Sequence, residues 1–154
     1  MTSVQYYESP VGWLEIISSN GKLTDVSIVS EEGISDPDEI TEMTVKQLEE
    51  YFAGKRTVFD IPLEIKGTPF RKRVYNALLK VPYGSTVSYK DLTVMAGNRR
   101  GYQATGQAVH FNPLMIIVPC HRVINNDGSI GGYGPDISIK KYLLRLEDGW
   151  HEKN

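Results

Sequence analysis

The chain reads as an α+β protein in two parts: a small N-terminal domain built on an antiparallel sheet, residues 1–66, and a helical C-terminal domain, residues 67–154. Three observations carry that reading. Asn20-Gly21 sits between apolar runs, a strong signal for a two-residue hairpin. Near residues 65–68 the apolar pattern changes from strand-like alternation to helical spacing. Charge also changes sign along the chain. Residues 1–54 hold two basic and eleven acidic side chains, a net of −9, whereas residues 55–154 carry +7.

The elements follow in order. Strands are expected over residues 4–8, 12–18 and 23–30, separated by turns at Ser9-Pro10 and Asn20-Gly21. A helix follows, with Asp36 as its cap, Pro37 at the first helical position and Glu39 as the acidic third. Ile40, Met43, Val45, Leu48, Tyr51 and Phe52 approximate its apolar face, and Gly54 stops it. Residues 57–64 read as one more short strand.

In the second half, Thr68-Pro69 opens a helix that runs to about residue 80 and is broken by Pro82-Tyr83-Gly84. Ser88 caps a short helix over 89–96, ended by Gly97. Asn98-Arg99-Arg100 then leads to another over 101–110. Two short helices joined by a tight glycine-containing turn make a helix-turn-helix. The second is rich in small residues: Gly101, Ala104, Thr105, Gly106 and Ala108. Each glycine weakens a helix by about 1 kcal/mol, so close approach to another surface is expected, either a neighbouring helix or a nucleic-acid groove. Residues 114–118 are continuously apolar and must be buried. Asn125-Asn126-Asp127-Gly128 is a turn, and residues 128–134, with four glycines and one Tyr, form a loop able to close over a ligand. Asp136 caps the last helix, 137–148, with Ile139, Tyr142, Leu143 and Leu146 facing inward.

A composition of 40% hydrophobic and 23% charged residues suits a soluble globular core. No apolar run approaches the ~18 residues of a membrane helix, and the first eight residues carry no basic start or apolar signal core. One Cys excludes an internal disulfide and Cys-rich zinc ligation, so a cytoplasmic location without metal or cofactor is expected. Residues 55–122 hold eleven basic against three acidic side chains. That stripe suggests an anionic partner, nucleic acid foremost, unless it serves only to attract the acidic half.

The single cysteine, Cys120, sits in Ile-Ile-Val-Pro-Cys-His-Arg-Val, residues 116–123. Nearby cationic groups favour the nucleophilic thiolate; the plain alternative is a small buried hydrophobe. Cys120 and His121 are adjacent and cannot face each other on a regular strand or helix. A base within ~3 Å therefore needs an irregular backbone, which Pro119 makes feasible, or an intervening water. His121 in turn needs an orienting carboxylate, and Asp91, Asp127, Asp136, Glu147 and Asp148 are candidates.

Pro119-Cys120-His121-Arg122-Val123 resembles the active-site motif of the O6-alkylguanine-DNA alkyltransferases. So do Asn112-Pro113, Gly131-Gly132-Tyr133, Leu143-Leu144-Arg145-Leu146-Glu147, Tyr83-Gly84 and Val87-Ser88-Tyr89; the likeness is strong over residues 68–149. The resemblance implies a ribonuclease-H-like layout for the N-terminal sheet domain and a DNA-binding helix-turn-helix in the C-terminal one. It implies repair by direct, irreversible, single-turnover transfer of the alkyl group from O6-alkylguanine, and from O4-alkylthymine, to Cys120. The expected partner is double-stranded DNA carrying the lesion, bound by a monomer, with the damaged base rotated out of the stack. By position, His121 would take the thiol proton through a water, Glu147 would orient His121, and Tyr89 would bond the base and help protonate it as it leaves. Asn112 would hold the turn after the recognition helix, and Arg122 would pair with an acid. Val123, Tyr133 and Gly134 would line the base pocket. Gln103, Ala104, Gly106, Arg99 and Arg100 would meet DNA, small side chains suiting a minor groove ~6 Å wide.

One position departs from the family. Gln103 stands where the family has an arginine that fills the gap left by the extruded base, and glutamine lacks the charge and planar stack of a guanidinium. An alternative is thus an alkyltransferase-like sensor with weak or no repair, although such relatives lack the cysteine. A helix-turn-helix regulator and a Cys-His hydrolase are further alternatives; the latter would need an oxyanion hole that the sequence does not reveal.

Overall fold

The computed structural model describes residues 1–98, 101–132 and 136–149. The chain forms two compact units: Met1–Ile65 with Pro113–Ile117, and Lys66–Asn112 with Val118–Asn154.

In the first unit, β1 (Thr2–Ser9), β2 (Gly12–Ser19) and β3 (Lys22–Val29) form an antiparallel sheet in that order. Asn20 and Gly21 have φ of 53° and 79°, as a two-residue hairpin turn with two left-handed positions requires. β2 buries Leu14, Ile16 and Ser18 in strict alternation, but β3 buries Leu23, Thr24 and Val26. The register explains the skip. Ile17 pairs with Asp25 and Ser18 with Leu23, so Thr24 is the extra residue of a β-bulge. Its Oγ1 donates to the Ile17 carbonyl at 3.2 Å.

The outer edge of β3 is covered twice. Leu23 bonds the Pro62 carbonyl (2.8 Å) and the Glu64 amide (2.9 Å); Val26 bonds the Pro113 carbonyl (2.9 Å) and the Met115 amide (3.0 Å). The strand expected over 57–64 is therefore only a single bridge, Leu23 to Leu63. Two things prevent more. Pro62 has no N–H to donate, and Asp60 is taken by the Gln47 side chain through reciprocal bonds of 3.0 and 2.9 Å. At Ile116 the chain turns tightly, with φ of 73° and an Ile117 N–H to Met115 carbonyl bond of 2.8 Å. A β-branched residue in this region is strained by about 1–3 kcal/mol.

Helix α1 (Glu39–Phe52) is capped by Asp38, not Asp36. Asp38 Oδ1 accepts from the Thr41 amide (2.8 Å), and Thr41 Oγ1 accepts from the Asp38 amide (2.9 Å), a reciprocal capping box. Asp36 instead exchanges two backbone bonds with Val4, at 2.7 and 3.0 Å, which holds it extended. The buried face of α1 is also more polar than its apolar residues suggest. It consists of Ile40, Thr41, Thr44, Gln47, Leu48 and Tyr51, with Met43, Val45 and Phe52 only half-buried.

The second unit holds α2 (Pro69–Leu78), α3 (Tyr89–Met95), α4 (Tyr102–His110) and α5 (Ile137–Leu146). Strands β4 (Val87–Ser88) and β5 (Val123–Ile124) pair in parallel. Thr68, Ser88 and Asp136 cap α2, α3 and α5 with side-chain bonds of 3.2, 3.0 and 2.8 Å, as expected. Gly97, at φ of 85°, follows α3. A buried hydroxyl pair, Thr93 Oγ1 to Thr105 Oγ1 at 2.8 Å, joins α3 to α4, and Tyr75 of α2 donates to the Ala108 carbonyl of α4 at 2.8 Å. Helix α5 ends two residues earlier than expected, and its inner stripe is shifted. Lys140, Leu143 and Leu144 are buried, whereas Tyr142 is 40% exposed.

Replacing Asp38 with Ala should cost about 1–2 kcal/mol, since it removes a cap and a 2.6 Å bond from Ser18 of β2. Asp36→Ala should stay within about 0.5 kcal/mol. Urea denaturation of the two variants reads the difference directly.

Candidate active site

Cys120 begins a single 3-10 turn, Cys120–Arg122, in the second unit. Pro119 sets it up. With φ of −80° and ψ of 66° it forms an inverse γ-turn, and the Cys120 amide donates to the Val118 carbonyl at 2.8 Å. The same carbonyl accepts from Asn112 Nδ2 at 2.8 Å, so one oxygen ties the end of α4 to the cysteine backbone. A 3-10 turn advances about 120° per residue, so adjacent Cys120 and His121 side chains point apart.

β4 runs directly into α3, whose first residue is Tyr89, and β5 follows directly on the turn. Their pairing, Val87 with Val123 and Ser88 with Ile124, brings the start of α3 beside the exit of the turn. Asn126 Oδ1 reinforces this by accepting from the Lys90 amide at 3.1 Å. Cys120 is 5% exposed. Tyr89 is partly buried. Burial, then the charge of Cys120, raises its phenol above the ordinary value.

His121 is fully buried, with Nε2 2.6 Å from Glu147 Oε2. Its Nδ1 is also buried and has no hydrogen-bond partner among the described residues. Glu147, the C-cap residue of α5, is equally buried and is held on its other side by Arg122. Arg122 Nε donates to Oε1 at 2.7 Å and Nη2 to Oε2 at 3.1 Å, while Nη1 donates to the Val81 carbonyl at 2.6 Å. The guanidinium also lies 5.9 Å from the ring centre of Tyr83. Burial pushes Glu147 up, but the hydrogen bonds and charges of His121 and Arg122 outweigh it and bring the carboxyl down to about 2. Burial lowers His121 despite Glu147, with help from Arg122 and Lys140. Near neutral pH the site therefore holds an ionised Glu147 paired with Arg122, beside a neutral imidazole.

Of the five acids that the sequence offers to His121, the structure selects Glu147. Asp136 caps α5, Asp127 accepts from Ser129, and Asp91 and Asp148 are exposed. Gln103 and Ala104 are exposed on α4, and Gly106 has open space where a Cβ would stand. Thr105 and Ala108 are buried, and a Cβ on Gly101 would come within 3.0–3.2 Å of Asn98 and Phe70. Arg122 lies in the Glu147 pair and Val123 in the core. Arg99, Arg100, Tyr133 and Gly134 lie outside the described residues. No group that could hold a metal ion occurs among the described residues.

Sequence reasoning missed Lys140 and Tyr75. Lys140 is fully buried, and its Nζ donates to the carbonyls of Val123 (2.5 Å) and Gly132 (3.1 Å). Burial lowers its ammonium to about 8, opposed by the charge of Cys120. Its position three and four residues before Leu143 and Leu144 and seven before Glu147 places it on the buried face. That spacing was the available signal.

A cysteine turn, a buried His-Glu pair and two short helices joined by the Thr93–Thr105 hydroxyl pair lie within one unit, the makings of a thiol-bearing catalytic protein. Two family models match the chain. One described as the 6-O-methylguanine DNA methyltransferase DNA-binding domain matches residues 69–149, and one described as the ribonuclease-like domain matches residues 4–65. The chain belongs to the 6-O-methylguanine DNA methyltransferase family. The methylated-DNA–protein-cysteine methyltransferase of Methanosarcina acetivorans is 39% identical over 148 residues, 92% of this chain and 95% of that one. The protein of the same name from Methanosarcina barkeri is 48% identical over 103 residues, 67% of this chain and 65% of that one. Mycobacterium tuberculosis OGT in complex with DNA is similar in structure, with a TM-score of 0.86 and 39% identity over 94% of this chain and 92% of that one.

Glu147→Gln leaves the buried Arg122 charge without its partner and should destabilise the protein by about 3–5 kcal/mol. The acid response follows from the depressed carboxyl. The stabilisation is complete above the ordinary value of 4.5 and lost as pH falls towards about 2. Melting curves taken across that window should fall steeply for the unaltered protein and be flatter for Glu147→Gln.

Proposed function

We propose that the protein repairs DNA by transferring the alkyl group of O6-alkylguanine, and of O4-alkylthymine, to Cys120, once per molecule. The observation that carries this reading is the buried, neutral imidazole that follows Cys120 in the same 3-10 turn, its Nε2 committed to Glu147 and its Nδ1 left without a partner among the described residues. With Nε2–H donating to the carboxylate, Nδ1 is the basic nitrogen, and it receives the thiol proton through a water. The thiolate attacks the alkyl carbon, the carbon–oxygen bond breaks, and its electrons pass to the base, which is protonated with help from Tyr89. A thioether remains, with no easy exit.

Residues 67–154 serve as the DNA-binding and active-site domain. A thiol that is 5% exposed cannot meet a base stacked in a duplex, so the lesion must be rotated out to reach it. Gln103, Ala104 and Gly106 lie on the outward side of α4 and suit contact with the minor groove, while Arg99 and Arg100 supply charge to the phosphates. Val123 lines the base pocket through its carbonyl, and Asn112 holds α4 to the Cys120 segment. The protein acts as a monomer in the cytoplasm; no helix among the described residues is long and apolar enough to cross a membrane.

Incubation with a duplex containing O6-methylguanine should add one methyl group to the peptide that contains Cys120, read by mass spectrometry. Cys120→Ala should bind the same duplex without gaining mass. Binding by the unaltered protein with no mass change would favour the sensor alternative. Gln103→Arg should speed repair of the duplex by about tenfold, the effect of one added stacked or charge-assisted contact. It should leave the reaction with free O6-benzylguanine nearly unchanged, and equal gains on both would remove base extrusion from the role of this position.

A further inference from the structure

Two buried threonines carry hydroxyls that packing alone does not require. Thr93 of α3 and Thr105 of α4 are both fully buried. Valine matches threonine in shape and would fill either position with no polar group to satisfy. Instead the two hydroxyls meet at 2.8 Å, and Thr93 Oγ1 also lies 2.7 Å from the Tyr89 carbonyl, one turn earlier in α3. A hydroxyl has one proton to donate, and a carbonyl can only accept. The Thr93 proton therefore goes to the Tyr89 carbonyl, and Thr105 donates to Thr93. The result is a directed chain, from the Thr105 hydroxyl through that of Thr93 to the backbone of Tyr89.

The two ends of this chain serve different parts of the proposed chemistry. Thr105 lies beneath the outward surface of α4, directly after the exposed Gln103 and Ala104. The start of that helix is weakly held by itself, because its cap is Gly101 and makes no side-chain bond. Its C-terminal half is tied elsewhere, by Tyr75 to the Ala108 carbonyl. Tyr89 is fixed locally: Val87 and Ser88 pair with β5, Ser88 caps α3, and the Lys90 amide bonds Asn126. We infer that Thr105 and Thr93 are positioning residues that hold the N-terminal half of α4 in register with Tyr89. The inference rests on the proposed function. A base extruded at α4 must arrive in line with the phenol that helps protonate it, and misplacement by about 1 Å can cost about a hundredfold in rate. A free base diffuses into the pocket by itself and needs no such register.

The test compares single-turnover transfer from a duplex containing O6-benzylguanine with transfer from free O6-benzylguanine. The alkyl group and the bond broken are the same, so the ratio of the two rates isolates what α4 contributes. Thr105→Val removes the hydroxyl and keeps the shape. It should slow the duplex reaction at saturating DNA by about tenfold or more, while free O6-benzylguanine reacts at nearly the unaltered rate. Thr93→Val should do the same from the other side. The double variant should be no slower on the duplex than either single one, since the two hydroxyls act as a unit. Thr105→Ser keeps the hydroxyl and should restore the duplex rate.

Both rates are read on one preparation, so any inactive fraction scales them together and cancels in the ratio. Should the valine variants fail to fold, Thr105→Ala removes the same hydroxyl with a better helix former and gives the same reading. Equal losses on both substrates would make the hydroxyls purely structural and overturn the inference. A duplex rate left unchanged would overturn it too, and so would a serine variant as slow as the valine one. Failure of the unaltered protein to take the alkyl group from the duplex onto Cys120 at all would sink the function itself, a separate result.

Discussion

The carboxylate of Glu147 is the interaction on which the second unit's chemistry depends. It is fully buried, and such a charge persists only where its oxygens are matched by donors. His121 and Arg122, neighbours on one turn, supply three of them. Because the two side chains leave a 3-10 turn in different directions, one carboxylate can take both only if the backbone at residues 120–122 is correctly shaped. The ion pair therefore also fixes the conformation of the residue that begins the turn, Cys120. Arg122 carries the restraint further through the Val81 carbonyl, so the segment after α2 is bound into the same network.

Much of this was legible in the sequence, and the exceptions have local causes. The hairpin, the caps Thr68, Ser88 and Asp136, and the paired short helices all follow from chemistry confined to a few consecutive residues. Asp36 and Asp38 were equally able to cap α1. The choice was made by Val4, more than thirty residues away, which holds Asp36 extended. The strand expected at 57–64 is limited by a glutamine from α1 that takes the backbone of Asp60. Thr24 breaks the alternation of β3 because a bulge consumes one residue.

Within the site, Cys120 and His121 stood out from the sequence, but the choice of Glu147 among five acids came from family resemblance. Local pattern gave it no preference. An acid just past the C-terminal end of a helix is unfavourable by itself, and only the Arg122 guanidinium and the His121 ring opposite explain it. Lys140 was overlooked because the inward stripe of α5 was placed one residue out of phase. Once Leu143 and Leu144 define the buried face, Lys140 and Glu147 fall at its two ends, a cation and an anion on one helix flanking the cysteine turn. The small residues of α4 divide as well. Gly101, Thr105 and Ala108 are small because neighbouring side chains crowd them, whereas Ala104 and Gly106 have no such neighbours and leave an outer surface bare.

The pentapeptide Pro113–Ile117 belongs to the sheet unit although both its flanks belong to the helical one. Asn112 Nδ2 and the Val118 carbonyl close its neck, and its middle residues complete the edge of β3. The boundary near residue 65 is therefore a poor place to cut the gene. A truncated product beginning there would display Leu114, Met115, Ile116 and Ile117 to solvent, a greasy finger without its glove. Such a fragment is a candidate for self-association during expression, and the sheet fragment left behind would lack the pairing that finishes its last strand.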